Sequence, residues 1–136
     1  KGIFVSKNKE NEIANEYIQK LRVKTTGKEQ AARYLSGGNQ QKVVIAKWLA
    51  GSPKILALDE PTRGIDVNAK TEIYRLINQL TEQGMAILLV SSELMEVMGM
   101  SDRVLVMHDG VITGEFNREE FSEETIMSCA VGRKKV

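Results

Sequence analysis

The stretch that decides the fold is KILALDEPT, residues 54–62. Four apolar residues, 55–58, run without alternation, and Pro61 follows after two intervening residues. A short apolar run of this kind predicts a strand buried on both faces, as in a parallel sheet covered by helices. Because proline disfavours a helical conformation for the residue before it, we expect the strand to remain extended through Glu60.

Two carboxylates, Asp59 and Glu60, lie at the carboxyl end of this predicted strand. Ligands of open α/β sheets bind at the carboxyl ends of the strands. Because adjacent strand residues point to opposite faces, the two acids must have different roles. One can hold a divalent ion while the other faces a water molecule, a division that suits Mg²⁺-assisted phosphoryl transfer. An Asp-Glu pair alone is more often two solvated acids at a strand end.

The composition fits one globular domain of ordinary size. The chain has 136 residues, 42% of them hydrophobic, and 19 Lys and Arg against 18 Asp and Glu give a net charge of +1. This balance gives no electrostatic argument for binding nucleic acid. The single cysteine, Cys129, precludes an internal disulfide and is interpreted as structural. No apolar run approaches the ~20 residues of a membrane span, and the first residues do not form a signal peptide.

Helical and strand patterns alternate along the chain, which predicts an α/β fold. Residues 6–12 are interpreted as a loop, residues 86–90 as a second buried strand and residues 103–107 as a third strand. Asp109-Gly110 is interpreted as the turn of a hairpin whose return strand is 111–116. Apolar residues at helical spacing predict four core-facing stripes: Ile13, Ala14, Tyr17, Ile18 and Leu21; Val44, Ile45, Trp48 and Leu49; Ile73, Leu76, Ile77 and Leu80; and Ile126, Met127 and Ala130.

A serine and two glycines, Ser36 to Gly38, precede the second of these helices. Ser36 is a favourable N-cap, and glycines allow a backbone to approach an anion closely at the positive end of a helix dipole. Ser-Gly-Gly alone is more often a simple turn. In the same way Asp66 is predicted to cap the third helix.

Three motifs in order and at consistent spacing remove this ambiguity. Residues 35–66, LSGGNQQKVVIAKWLAGSPKILALDEPTRGID, resemble the signature motif, Walker B motif and D-loop of ABC-type ATPases. More narrowly, EQAARYLSGGNQQKV, DEPTRGIDV and LVSSELMEVMGMSDRV resemble the C-terminal nucleotide-binding half of ribose/galactose-type sugar importer ATPases. The resemblance extends from about residue 13 to residue 132.

The resemblance implies the C-terminal part of a P-loop NTPase domain, with a mostly parallel sheet, flanking helices and a C-terminal β-hairpin. Residues 1–52 would belong to a helical subdomain with the signature helix, and residues 53–136 to a RecA-like core remnant. The implied cofactors are ATP and Mg²⁺. Asp59 matches the acid that orders Mg²⁺ through water, and Glu60 the carboxylate that polarises the attacking water. The implied contacts to ATP held by an opposing nucleotide-binding domain are Leu35, Ser36, Gly37, Gly38, Asn39 and Gln40, with Asp66 as the D-loop acid.

Two departures from the family pattern limit the expected chemistry. Ser92 stands where the family has its switch histidine, and a hydroxyl donates a hydrogen bond but carries no positive charge. The only histidine, His108, is interpreted as a turn residue beside Asp109-Gly110. The chain also contains no G-x-x-x-x-G-K-[ST] phosphate-binding loop. We therefore expect a C-terminal fragment that does not hydrolyse ATP alone, with Ser92 and Glu60 as the catalytic positions of the longer protein.

The leading hypothesis is an ATPase subunit that energises sugar import from the cytoplasmic face of a bacterial membrane. Its partners would be an opposing nucleotide-binding domain, transmembrane permease subunits and, indirectly, a periplasmic or extracellular sugar-binding protein. One alternative is a non-catalytic signature half that completes a partner's ATP site, which Ser92 favours. Another is a chromosome-maintenance-type ABC ATPase, although the long heptad arms of that class are not present here.

Overall fold

Helices and strands alternate through most of the chain, as the sequence pattern predicts. A computed structural model describes residues 6–133. In chain order its elements are α1 (Lys7–Lys20), a 3₁₀ helix (Ala32–Tyr34), α2 (Gly37–Leu49), β1 (Ile55–Asp59), α3 (Val67–Glu82), β2 (Ala86–Val90), α4 (Leu94–Met100), β3 (Arg103–His108), β4 (Val111–Asn117), a second 3₁₀ helix (Arg118–Glu120) and α5 (Glu123–Ala130). The α/β class is confirmed.

The chain divides into two compact units, and the boundary between them along the sequence falls between Leu88 and Leu89, inside β2. Unit 1 precedes this point and carries α1 to α3 and β1. Unit 2 follows it and carries α4, β3, β4 and α5. The division at residue 52 refers to subdomains of a larger fold and stays a prediction.

The core of unit 1 includes the apolar stripe of α3. Asp66 is the N-cap of this helix, and Gly84, with φ of +86°, follows its end. All four apolar residues predicted for its core face are buried, which confirms that prediction: Ile73, Leu76, Ile77 and Leu80. The other buried apolar side chains of the unit are Leu21, Val23, Ile45, Leu49, Leu56 and Leu58.

The central strand, β1, pairs with β2 in a two-stranded parallel sheet. At its edge the backbone N–H of Ala86 donates to the carbonyl of Lys54 at 3.0 Å. Burial alternates along β1: Leu56 and Leu58 are buried, whereas Ile55 is 70% exposed. The prediction that this strand is buried on both faces is therefore wrong for this chain. An unbroken apolar run identifies the strand, but residues distant in sequence decide which of its faces are covered.

The buried face of α2 also differs from the predicted stripe. Trp48 is 61% exposed and Val44 is about half exposed. One of the buried residues is a lysine, Lys42. A pattern of apolar residues does not count a lysine, so the predicted stripe and the buried face of the helix do not coincide. The buried residues of α2 are Gly38, Asn39, Lys42, Ile45 and Leu49.

The first helix begins earlier than the sequence pattern predicts. Ser6 is its N-cap and helix starts at Lys7, so the interpretation of residues 6–12 as a loop is wrong. Those residues are mostly Lys and Glu, which are good helix formers without any apolar periodicity. No residue of α1 is buried; Ile13 and Tyr17 instead line an open, mostly apolar groove of about 470 Å³ beside α2.

Unit 2 is built around the antiparallel hairpin of β3 and β4. The turn residues Asp109 and Gly110 have φ of 48° and 76°, the two positive values that a type I′ turn requires, and this confirms the predicted turn. A capping box follows β4, with the backbone N–H of Asn117 donating to Glu120 Oε2 at 2.8 Å. The core of the unit consists of Val104, Val106, Phe116, Ile126 and Cys129, which confirms the structural interpretation of the cysteine.

The end of α5 is held by two side chains of the hairpin. The hydroxyl of Thr113 donates to the carbonyl of Cys129 at 2.8 Å. His108 Nδ1 lies 2.9 Å from the carbonyl oxygen of Ala130, and since a carbonyl only accepts, this nitrogen is the donor. His108 is the last residue of β3, so it lies in the strand directly before the turn and not in the turn to which the sequence pattern assigned it.

Among residues 6–133, no helix combines the length and the hydrophobicity needed to cross a lipid bilayer.

Candidate functional site

An exposed hydroxyl marks the start of α2. Ser36 is the N-cap, with the extended backbone (φ −62°, ψ 155°) that this position requires. Its side chain makes no hydrogen bond to the amides of the helix; instead Oγ accepts a hydrogen bond from Asn39 Nδ2 at 2.8 Å. Ser36 and Gly37 are exposed, so a hydroxyl and a helix N-terminus face the same solvent region. Such a combination can bind an anionic oxygen.

The rest of the signature loop is held by its own hydrogen bonds. Gln40 Nε2 donates to the carbonyl of Leu35 at 2.9 Å, and the backbone N–H of Gln40 donates to the carbonyl of Ser36 at 2.9 Å. Leu35 is half-buried. The loop therefore enters the helix in a defined conformation.

The two signature glycines pack against the D-loop and the first turn of α3. A Cβ on Gly38 would lie 2.5 Å from the Cβ of Ala69, a distance that no side chain tolerates. A Cβ on Gly37 would lie 3.1 Å from Ile65 Cγ2. Neither glycine has a positive φ, so the requirement is for space. This packing joins the signature motif to the segment after the Walker B acids.

Asp66 performs the capping role predicted for it. Its Oδ1 accepts a hydrogen bond from the backbone N–H of Ala69 at 3.0 Å. Ala69 is the residue that Gly38 contacts. The D-loop acid and the signature glycine therefore meet at one turn of α3. A contact of Asp66 across an interface with a second domain stays a prediction.

The two acids after β1 differ in backbone conformation and in exposure. Asp59 ends the strand and is exposed, whereas Glu60 is half-buried and has φ of 46°. The prediction that the strand remains extended through Glu60 is therefore wrong: the chain turns there, and the N–H of Arg63 donates to the carbonyl of Glu60 at 3.1 Å. A left-handed conformation costs a residue with a side chain about 1–2 kcal/mol. Such strain is concentrated at functional sites, where the surrounding structure maintains it.

Buried neighbours hold this turn in place. Pro61 and Thr62 follow Glu60 and are among the most deeply buried residues of the chain. The carbonyl of Thr62 then accepts a hydrogen bond from the N–H of Ile65 at 3.4 Å. The turn that carries Glu60 therefore leads directly into the segment that contacts Gly37.

A polar network fixes α2 to the segment that follows α1. The backbone N–H of Lys24 donates to Asn39 Oδ1 at 2.8 Å. One turn later the buried Lys42 donates to Glu72 Oε2 at 2.8 Å and to the carbonyl of Arg22 at 3.3 Å. The hydrogen bond from Lys42, together with its positive charge, lowers the pKa of Glu72 below the usual value of 4.5. The start of α2 is thus tied to both neighbouring segments of unit 1.

Ser92 belongs to unit 2, whereas the acids and the signature residues belong to unit 1. It is exposed and lies in the short segment between β2 and α4. The neighbouring Ser91 Oγ accepts a hydrogen bond from the backbone N–H of Glu93 at 3.0 Å, which shapes this segment. The catalytic role of Ser92 stays a prediction.

The donor set of unit 1 is consistent with a metal ion held mainly by water and a nucleotide. Within the described residues no group of three or more His, Cys, Asp or Glu side chains is arranged to hold a metal ion. Mg²⁺ commonly uses one or two carboxylates together with water and phosphate oxygens. The single exposed carboxylate of Asp59 at the end of β1 fits this mode of binding.

Sequence reasoning missed three residues that support this site. Ala69 and Lys24 have no signal in a pattern of apolar residues, because one acts through its small size and the other through its backbone N–H. Lys42 had a detectable signal: it lies on the same helical face as Ile45 and Leu49. A lysine on a buried face requires partners, which here are Glu72 and a carbonyl.

Known proteins are similar to this chain in sequence. A family described as ABC transporter matches residues 2–63. The chain is 56% identical over 129 residues to the ribose import ATP-binding protein RbsA of Bacillus licheniformis, covering 95% of this chain and 26% of that protein. It is 61% identical over 121 residues to the xylose import ATP-binding protein XylG of Geobacillus kaustophilus, covering 89% of this chain and 24% of that protein. The chain thus spans about a quarter of the length of these relatives.

Solved structures agree with the sequence comparison. The dimeric structure of MJ0796, a bacterial ABC transporter cassette, has a TM-score of 0.73 at 27% identity and covers 89% of this chain and 52% of that one. The ABC transporter cassette MJ1267 has a TM-score of 0.79 at 25% identity and covers 97% of this chain and 54% of that one. Family match, sequence identity and fold agree, and the chain carries part of an ABC transporter domain.

Proposed function

We propose that this chain is the signature-bearing part of an ATP-binding subunit that energises sugar import. The observation that carries the proposal is the exposed Ser36 at the start of α2, in a segment 56–61% identical to ribose and xylose import ATP-binding proteins. Ser36 and the amides beside it bind the γ-phosphate of an ATP held by an opposing nucleotide-binding domain. The remaining contacts to that nucleotide come from the signature residues Leu35, Gly37, Gly38 and Gln40 and from Asp66.

The acids after β1 act on a nucleotide bound to the same domain. Asp59, exposed at the strand end, orders Mg²⁺ through water, and Glu60 polarises the attacking water. The left-handed backbone of Glu60 supports this role, because backbone strain of this kind is concentrated at functional sites. Mg²⁺, when bound, neutralises phosphate charge that develops during phosphoryl transfer.

Ser92 at the switch position favours a minor contribution to ATP turnover from the site that contains Glu60. A hydroxyl at the switch position donates a hydrogen bond to a phosphate oxygen but supplies no positive charge. We infer that the site containing Glu60 binds nucleotide and contributes little turnover, so that the chain acts mainly by completing its partner's site. Besides the opposing nucleotide-binding domain, the chain's partners are transmembrane permease subunits at the cytoplasmic face of the membrane and, through them, a sugar-binding protein.

The test compares two variants in the full-length protein assembled in its transporter. Glu60→Gln removes the proposed base, which costs about 10²–10⁴ in rate at a site that depends on it. Because Ser92 makes that site subordinate, we expect total ATPase activity and uptake of labelled ribose or xylose to remain close to wild type. Glu82→Gln, at the exposed end of α3, makes the same chemical change away from the site and serves as the control. Loss of nearly all activity in Glu60→Gln alone would show that this half is a working catalyst.

A further inference from the structure

The side-chain amide of Asn39 has only one possible orientation. The backbone N–H of Lys24 lies 2.8 Å from Oδ1, and a backbone N–H can only donate. The atom facing it must therefore be the amide oxygen, because a flipped amide would place two donors against each other. Asn39 is buried, so exchange of these partners for water is not available to it.

This orientation determines the hydrogen-bonding state of Ser36. With Oδ1 engaged by Lys24, Nδ2 is the atom that lies 2.8 Å from Ser36 Oγ, and it donates. A hydroxyl has one proton and two lone pairs, and one lone pair is now used. Within residues 6–133 the only hydrogen bond of the Ser36 side chain is the one that Oγ accepts from Asn39, so no described group takes the serine proton. The exposed hydroxyl is left as a donor toward solvent.

The groups behind Asn39 are held rigidly. Lys42, one turn further along α2, is buried and donates both to the carbonyl of Arg22 and to Glu72 of α3. The segment 22–24 is therefore attached to α2 at two successive turns, through Asn39 and through Lys42. Hydrogen bonds and packing behind a functional side chain hold it in one orientation.

We propose that Asn39 is a positioning residue that keeps the Ser36 hydroxyl as a hydrogen-bond donor to an anionic phosphate oxygen. The inference rests on the proposed function of Ser36 and assigns to Asn39 a role behind the serine, in place of the ligand contact that the family resemblance implies. The backbone N–H of Lys24 donates a hydrogen bond to Asn39, Asn39 donates one to Ser36, and Ser36 donates one to the phosphate oxygen.

Asn39→Asp tests this polarity with almost no change in shape. One carboxylate oxygen still accepts from Lys24, but the other now accepts the serine proton in place of donating to Oγ. Turnover in the full-length protein in its transporter should fall about tenfold or more, the factor expected for losing one hydrogen bond to a charged group. Asn78→Asp adds the same charge at an exposed position of α3 and should leave turnover unchanged.

A double-mutant cycle separates positioning from simple charge repulsion. Combined with Ser36→Ala, the Asn39→Asp change should cost no further activity, because its effect acts through the serine proton. If the loss persists undiminished in the Ser36→Ala background, Asn39 acts by itself and the inference is overturned. If Ser36→Ala alone leaves turnover unchanged, the proposed function of the serine has failed instead.

A structural readout on the chain itself tests the geometry independently of turnover. Ser36→Ala should shift the NMR signals of the Asn39 side-chain NH₂ and leave the Lys24 amide proton protected from exchange. Unmoved NH₂ signals would contradict the bond from Nδ2 to Oγ and overturn the inference, whatever the transport assay gives.

Discussion

Substitution of Gly38 by alanine tests the packing that joins the signature motif to α3. The added Cβ would lie 2.5 Å from the Cβ of Ala69, and both groups are close to helix backbone, so neither can move away cheaply. Overpacking of this kind costs about 1–3 kcal/mol. Helix propensity returns at most about 1 kcal/mol for Gly→Ala, and less in a first turn. We expect Gly38→Ala to lower the free energy of unfolding of unit 1 by about 1–2 kcal/mol.

Urea denaturation followed by Trp48 fluorescence and circular dichroism measures this change, because the only tryptophan lies on α2. Gly51→Ala provides the matched control at the other end of the same helix, where an added Cβ would meet its nearest atom at an ordinary 3.4 Å. Ala69→Gly should rescue Gly38→Ala, since it removes the opposing methyl group. Equal stability of Gly38→Ala and wild type, or failure of Ala69→Gly to compensate, would refute the assigned contact.

Two further predictions concern the polar contacts of each unit. Because the pKa of Glu72 is lowered in the folded state, its contribution to stability is present above the unfolded value of about 4.5 and is lost as pH falls through the lower folded value. Glu72→Gln should therefore be less stable than wild type at pH 7, and the difference in urea midpoint should narrow in acid; a difference that is constant with pH would contradict the pairing with Lys42. In unit 2, Thr113→Val leaves the carbonyl of Cys129 without its hydroxyl donor and should cost about 1–2 kcal/mol of unfolding free energy, whereas Thr125→Val on the exposed side of α5 should cost little. Equal losses in the two threonine variants would show that the buried hydrogen bond is not what stabilises the end of α5.

Patterns of neighbouring residues predicted the helices, strands and turns whose formation depends on those neighbours. The stripe of α3, the strand at 86–90 and the Asp109-Gly110 turn depend on spacing and turn chemistry, and each appears where predicted. The prediction that the strand at 86–90 is buried is wrong, because none of its five residues is buried. The exposure of Ile55 and Trp48 depends on which segments cover them, and no local pattern contains that information. The left-handed conformation of Glu60 likewise arises from the turn into a buried Pro-Thr pair, against the preference that a following proline imposes.

The candidate site likewise contains residues that the sequence predicted and residues that it did not. The motif residues were identified by order and spacing, and the structure places Gly37 and Gly38 against the D-loop segment. The hydrogen bonds that orient Ser36 were not predictable, because they involve a backbone N–H from the segment after α1 and a lysine that an apolar pattern omits. Residues that support a site through backbone atoms or small size leave little signal in a single sequence.

The most direct test of the central claim is Ser36→Arg in the full-length protein within its transporter, with nucleotide affinity and ATP turnover measured separately. Ser36 is exposed at the start of α2, so a bulky cation there should leave the fold and the nucleotide bound to this half intact. The same side chain should block close approach to the phosphate held by the opposing domain. The account predicts unchanged nucleotide affinity of this half with loss of nearly all turnover, whereas turnover at the wild-type rate would contradict it.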